Sequence, residues 1–249
     1  MLIYSLLAVK DNPEKLNAFL EGLTGISGSG LYAVRVNEIV AVTGDISRAE
    51  LLADTSNALV FAAIIESLMQ EFPVLPMRYG SFLESADAVS RMIERNYEEI
   101  ELNLKLVENK LEFGLKIFCD SEKLKTALQP VSETDATISQ HTGSESHTSV
   151  FREYVNTKLK AHRLEELLLS HVDKVIAGIT QQLDRMDALS KFKKIVAPAT
   201  VIDGVFLLEK DKKEELIKAI KDLQEIYPGM DFVLTGPWPP YNFVETTIK

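Results

Sequence analysis

Two α+β domains of the ferredoxin-like, split βαβ kind, set in tandem and joined by long helices, are what this sequence predicts. Three observations carry that expectation. Strand-like and helix-like segments follow the order β-α-β-β-α-β twice along 249 residues. The segments linking them show apolar residues at four-three spacing, the pattern of helices with one buried stripe. Proline and glycine fall mostly between the periodic stretches, where turns are needed.

The first repeat opens on Leu2–Val9, a run apolar but for Ser5 that reads as a buried strand. Asp11-Asn12-Pro13-Glu14 then supplies a cap and a first-turn proline for a helix reaching Gly22. The Gly25-Ile26-Ser27-Gly28-Ser29-Gly30 turn leads into Leu31–Val36. Asn37-Glu38 turns the chain back into Ile39–Thr43, completing a hairpin. A helix over 57–71 carries Leu59, Ala63, Ile64 and Leu68. Pro73 ends it, and Val74–Tyr79 returns to the sheet. Helical segments over 85–110 then set Val89, Ile93, Tyr97, Ile100, Leu104, Val107 and Leu111 on one stripe, expected as a seam for another helix.

The second repeat begins with the strand Glu112–Cys119 and a short helix near 121–128. A polar stretch over 129–149 reads as a solvated loop. A proline-free helix over 150–189 follows, with Leu168, Val172, Val175, Ile179, Leu183 and Met186 in four-three spacing. Forty helical residues would span about 60 Å, so this helix either breaks near Gly178 or pairs with the 85–111 seam as a projecting coiled-coil arm; the pairing is favoured. Lys194–Thr200 and Ile202–Glu209 are expected as a strand pair, with Pro198 at an edge or bulge. A helix over 211–226 stops at Pro228-Gly229, and Met230–Thr235 is the last strand. The domain boundaries expected are 1–84, then 85–111 as connecting helices, then 112–249 including the long helix and the proline-rich tail.

Composition bounds the function. The apolar fraction is 46%, ordinary for a globular protein, and the net charge is −10. That charge disfavours nucleic acid and anionic membranes as partners, since no basic patch is visible to release counterions. One cysteine, Cys119, excludes an internal disulfide and reads as a small buried strand residue. The N-terminal run lacks the basic region and cleavage site of a signal peptide, and no window reaches the roughly 20 apolar residues of a membrane span. A cytoplasmic protein is expected.

The residues offer little for catalysis. The glycines of 25–30 follow a helix and precede a strand, the reverse of a dinucleotide loop. His162 and His171, nine residues apart at about 100° per residue, fall on opposite faces of one helix and cannot chelate together. His141 and His147 lie in the polar loop without ligand-spaced neighbours. Glu98, Glu99, Glu101, Glu165 and Glu166 read as solvated helix faces. No catalytic residue, metal or cofactor is expected. Arg78 stands out as a charge within an apolar segment, read either as a sheet-edge ion pair or as a partner contact.

The most informative segment is Gly236-Pro237-Trp238-Pro239-Pro240-Tyr241. It holds three of the nine prolines and the only tryptophan. Proline fixes φ and restricts the preceding residue, so the strip is held extended or turned. It reads either as a strand-ending turn capped by aromatics or as a docking surface, because large aromatics on a preordered backbone lose little entropy on binding.

The ending Gly236–Val244 resembles the terminal signature of the gas vesicle GvpL/GvpF family. Val74-Leu75-Pro76-Met77-Arg78-Tyr79-Gly80-Ser81 is similar to that family's VLP-x-RFG-T stretch, and Glu112-Phe113-Gly114-Leu115-Lys116-Ile117 to its E-x-G-V-K-V strand. With Tyr4 in the first strand, the resemblance spans the chain. It departs at Phe61-Ala62-Ala63, where the family pattern has a His-Glu-type pair. The resemblance implies a two-domain α+β architecture and a non-enzymatic minor component or assembly factor. It would associate with the small hydrophobic shell protein and other accessory proteins, on gas vesicles in the cytoplasm. Arg78, Gly80, Gly236, Pro237, Trp238, Pro239, Pro240 and Tyr241 are the motif residues that become candidates for contact. The helical arm and the sheet edges, which can add a partner's strand, are further candidate surfaces. The alternative from a different class is a small-molecule-binding or catalytic ferredoxin-like protein.

Overall fold

The computed structural model describes residues 1–9, 13–119, 158, 162, 166, 170–194 and 200–244. The chain divides into two compact units. One comprises Met1–Phe113, Leu207–Lys210 and Gly236–Lys249; the other comprises Gly114–Phe206 and Asp211–Thr235.

The first unit is built on β1 (Leu2–Ala8), β2 (Leu31–Val36), β3 (Ile39–Gly44) and β4 (Val74–Pro76), in the spatial order β2-β3-β1-β4 with every pair antiparallel. Helices α1 (Pro13–Glu21) and α3 (Asn57–Glu71) supply apolar side chains to one face, and α4 (Ala86–Arg95) and α5 (Tyr97–Val107) to the other. This explains why β1 is apolar except for Ser5 and buried along nearly all its length: a strand covered on both faces has no solvent side. Its parity also switches. Leu2 and Tyr4 join the first cluster and Ile3 the second, whereas Leu7 and Val9 lie in the first and Leu6 in the second. A register shift between Ile3 and Ser5 accounts for it, since one extra residue exchanges the two faces of everything beyond it.

The stripe over 85–111 does not form one helix. Asn96, at φ −115° with its Nδ2 donating to the Met92 carbonyl at 2.8 Å, separates α4 from α5. Val89, Met92, Ile93, Ile100, Leu104 and Val107 are buried against the sheet with Ile3, Leu6 and Leu75. The periodicity is therefore spent on covering a sheet. The short helix α2 (Arg48–Ala53), outside the predicted elements, has a local sequence signal: Ser47 and Glu50 form a complete capping box, the S-x-x-E pattern. Residues 26–28 of the glycine-rich turn form a 3₁₀ turn with Ser27 at φ 55°.

The second unit carries a four-stranded sheet of β5 (Lys110–Cys119), β6 (Leu189–Lys194), β7 (Thr200–Glu209) and β8 (Met230–Trp238), in the order β6-β7-β5-β8. The first residues of β5 and the last of β7 and β8 belong to the first unit. Residues 170–185 are helical (α6), as are 158, 162 and 166, and α7 spans Lys213–Ile226. The expected helix over 121–128, the polar loop with His141 and His147, and most of 150–169 lie outside the described residues. The Cys119 side chain does so too.

The less favoured alternative, a break near Gly178, and the expected end at 189 both need correction here. The helix passes through Gly178 without a break; a Cβ there would sit 3.4 Å from Leu223 and from the Tyr227 hydroxyl, so glycine lets α6 and α7 approach closely. It also ends before 189. Asp187 takes φ 51°, with Ala188 N–H donating to the Leu183 carbonyl at 3.1 Å and Asp187 N–H to Asp184 at 3.3 Å. This is a Schellman ending with aspartate in the usual glycine position, and it lets β6 begin at Leu189 instead of 194. The apolar stripe Val172, Val175, Ile179, Leu183 and Met186 is buried.

His171, on α6, packs edge-on against Tyr227, with ring centroids 5.5 Å apart. Burial, and secondarily the charge of Lys174, holds its imidazole below the usual range. Protons therefore bind the unfolded chain more readily than the folded one. The contribution is intact above pH 6.5 and is lost as pH falls from there toward the lowered folded value. Urea midpoints measured between pH 8 and 5 are expected to fall on acidification, and less steeply in His171→Phe.

Candidate interaction surface

Two motif segments occupy separate settings in the first unit. The segment Val74–Ser81 leaves the sheet earlier than expected: β4 stops at Pro76, and the last bond to β1 comes one residue later, from Met77 N–H to the Tyr4 carbonyl at 2.9 Å. Arg78 therefore stands in a turn and not in a strand. Ser81 N–H and Oγ both donate to the Arg78 carbonyl, at 3.1 and 2.7 Å, and Gly80 takes φ 87°, a conformation open to glycine. The turn is tied down on one side by Ile3 N–H donating to Ser81, 2.8 Å, and on the other by Tyr79 Oη donating to the Leu51 carbonyl, 3.0 Å. The Arg78 side chain is exposed, and no carboxylate lies within ion-pair distance of it among the described residues.

Phe61 takes on structural work in this corner. It stacks on Tyr4 at 5.0 Å and meets Tyr79 edge-on at 5.3 Å. Tyr4 is fully buried and accepts the Ile26 N–H at 3.3 Å; burial raises its pKa, with the Ile26 bond opposing. An aromatic at 61 bridges the first strand to the 78–81 turn.

The proline strip is the more organised of the two. β8 runs on through Gly236-Pro237-Trp238, further than the expected end at Thr235. Proline is tolerated because β8 is an edge strand. The Gly236–Pro237 peptide is cis, and Gly236 has φ 112°. A Cβ there would lie 3.0 Å from the Glu112 carbonyl oxygen. Beyond it, Pro239 and Pro240 are buried and Val244 joins the core.

What holds the strip is Glu112. Its carboxylate accepts the Asn242 backbone N–H at 2.9 Å and the Asn242 Nδ2 at 2.6 Å, and the residue is 2% exposed. Charge-assisted bonds of this kind are about twice as strong as neutral ones. Glu112 was not a candidate on sequence grounds, although it belongs to a motif. It shares strand parity with the exposed Lys116, so alternation alone places it in water. Trp238 and Tyr241 remain half exposed, 43% each. Tyr241 has its pKa raised, first by burial and then by the Glu66 and Glu112 carboxylates.

Behind Pro240 a cleft of about 110 Å³ is lined by Phe72, Val107, Asn109 and Lys210. Metabolite pockets are several times larger, roughly 300–1,000 Å³. Among the described residues no group of three His, Cys, Asp or Glu is placed to hold a metal, and no helix is long and apolar enough to cross a membrane.

A family model described as gas vesicle synthesis protein GvpL/GvpF matches residues 1–245. The chain belongs to the GvpL/GvpF family. Similar curated members are gas vesicle protein L of a Streptomyces species, 24% identical over 244 residues covering 90% of this chain and 86% of that one, and gas vesicle protein L1 of Halobacterium salinarum, 22% identical over 236 residues covering 88% and 83%. The crystal structure of the gas vesicle protein GvpF from Anabaena sp. PCC7120 superposes with a TM-score of 0.76 at 14% identity, covering 99% of this chain and 98% of that one. The GvpF structure from Microcystis aeruginosa gives 0.73, also at 14% identity. At such identities the likeness carries the fold alone, a mixed α/β arrangement with two sheets. Membership in GvpL/GvpF gives the chain a role in gas vesicle formation.

Proposed function

We propose that this chain helps nucleate or build the gas vesicle wall by binding the apolar shell subunit and other accessory proteins, without catalysing a reaction. In this reading it works in the cytoplasm at the growing vesicle, and its two sheets of like strand order are tandem ferredoxin-like domains. One observation carries the proposal. Trp238 and Tyr241 stand half exposed on a backbone held by three prolines and by the bonds from Asn242 to the buried Glu112. Rigid, amphipathic aromatics are what a docking surface needs, because the ordering cost has been met before the partner arrives. The surrounding chemistry suits the role: an acidic, water-compatible protein can shield an aggregation-prone apolar subunit until it enters the wall.

The test is capture of the shell subunit by the purified full-length chain. Wild type is expected to bind, and Trp238→Ala to bind about 30-fold more weakly, the effect of losing an anchor of about 2 kcal/mol. Circular dichroism should show the variant folded. Wild-type protein that is folded yet captures nothing would end the proposal, and a thermal shift with a metabolite would favour the small-molecule alternative.

A further inference from the structure

Four strand edges close the two sheets, and they differ in how they are defended. β4 is three residues long, ends in Pro76 and lies beside α5. β6 carries Lys191 and Lys193, and β8 contains Pro237. Short length, lysine and proline are the usual guards against unwanted strand pairing. β2 has none of them. Its sequence, Leu31-Tyr32-Ala33-Val34-Arg35-Val36, runs six residues with one charge, and the Arg35 Nη2 already donates to the Val9 carbonyl at 3.3 Å.

The register says which backbone groups are available. Val36 pairs with Ile39 across the two-residue turn, Val34 with Ala41, and Tyr32 with Thr43. In a tight hairpin the pair flanking the turn exchanges hydrogen bonds, and so does every second pair beyond it. The N–H and C=O of Tyr32, Val34 and Val36 therefore face β3, and those of Leu31, Ala33 and Arg35 point outward. None of the outward groups has a backbone partner among the described residues. Ala33 and Arg35 are exposed, and Tyr32 is 52% exposed. An aromatic beside a β-branched residue on an open edge is a favourable cross-strand neighbour for an incoming apolar strand.

We infer that β2 is where this chain takes up an extended apolar strand of the shell subunit, pairing edge to edge. The inference rests on the assembly reading for the identity of the partner. Charge selects against a second copy as the occupant. Each chain carries −10, so self-pairing would bring two strongly acidic bodies together. Helix α1, which packs by β2, carries exposed Glu14 and Glu21, and its one basic residue, Lys15, is paired with Glu71. Helix α4, on the other face, is balanced by Asp87, Arg91, Glu94 and Arg95. That frame fits a neutral or basic apolar strand.

Residue-resolved hydrogen exchange on the full-length chain, free and co-purified with the shell subunit, tests this. The Leu31, Ala33 and Arg35 amides are expected to exchange rapidly in the free chain and about 100-fold more slowly in the complex, with Tyr32, Val34 and Val36 slow in both. Ala33→Pro removes the central outward N–H without touching the β2–β3 ladder and is expected to weaken capture about tenfold or more. Ala33→Lys, which guards the edge by charge, should do the same if the proline variant is unstable. A complex that leaves the three outward amides fast overturns the inference while sparing the assembly reading. No capture by wild type overturns both. A dimer of the chain alone that Ala33→Pro abolishes would assign the edge to a second copy and overturn it as well.

Discussion

Glu112→Ala is expected to lower the unfolding free energy by about 2–4 kcal/mol and to free the strip that carries Trp238. The carboxylate is buried and accepts two bonds from Asn242. Truncation removes both bonds to Asn242 and opens a void where the buried side chain lay. Asn242 is itself exposed, so water takes up its freed donors and the cost comes from the lost charge-assisted bonds and the void. Glu112→Gln keeps the shape, but its amide turns one N–H toward another donor, so it should lose about 1–2 kcal/mol. Trp238 is the sole tryptophan, so its emission reports on the strip directly. Native Glu112→Ala should emit at longer wavelength than wild type, and the urea midpoint should fall. A variant with unchanged emission and midpoint would show that the strip is held by something else.

The second large effect is expected at Phe61. Phe61→Ala should cost about 3–5 kcal/mol, the range for removing a buried aromatic. The ring is 3% exposed and lies against both Tyr4 and Tyr79. Its loss leaves a cavity between β1, α3 and the 78–81 turn, and removes a neighbour that holds the Tyr79 hydroxyl on Leu51. Phe61→Leu should lose less, about 1–2 kcal/mol, because most of the volume stays. Urea midpoints give the stability. Faster exchange of the Ile3 amide, which is bound to the Ser81 carbonyl, would show the turn loosening. Equal midpoints for Phe61→Ala and wild type would refute the bridging role.

Much of the fold was legible because the signals were local. β1, the Asn37-Glu38 hairpin, the 57–71 helix stopped before Pro73, and the strand opening at 110–112 all follow from short-range pattern and turn chemistry. Asn37 takes φ 52°, as a tight turn asks of it. The misreadings share a cause as well. The four-three spacing of 85–107 is the same whether the partner is a helix or a sheet, so periodicity named a buried stripe and not what buries it. Asp187 ended a helix in a position where glycine is the usual mark.

The candidate surface divides along the same line. By itself the sequence determined a rigid proline–aromatic strip and an acidic chain, properties of neighbouring residues or of composition, whereas the turn that ends β4 after Pro76 was not among them. Only the tertiary structure decided that Glu112 is buried, that it binds Asn242 across 130 positions, and that Phe61 joins Tyr4 to Tyr79. The physical reason is that strand alternation reports the two faces of a sheet but not what comes to lie over them. A carboxylate on the solvent-facing parity becomes a buried clamp once a distant segment of chain folds across it.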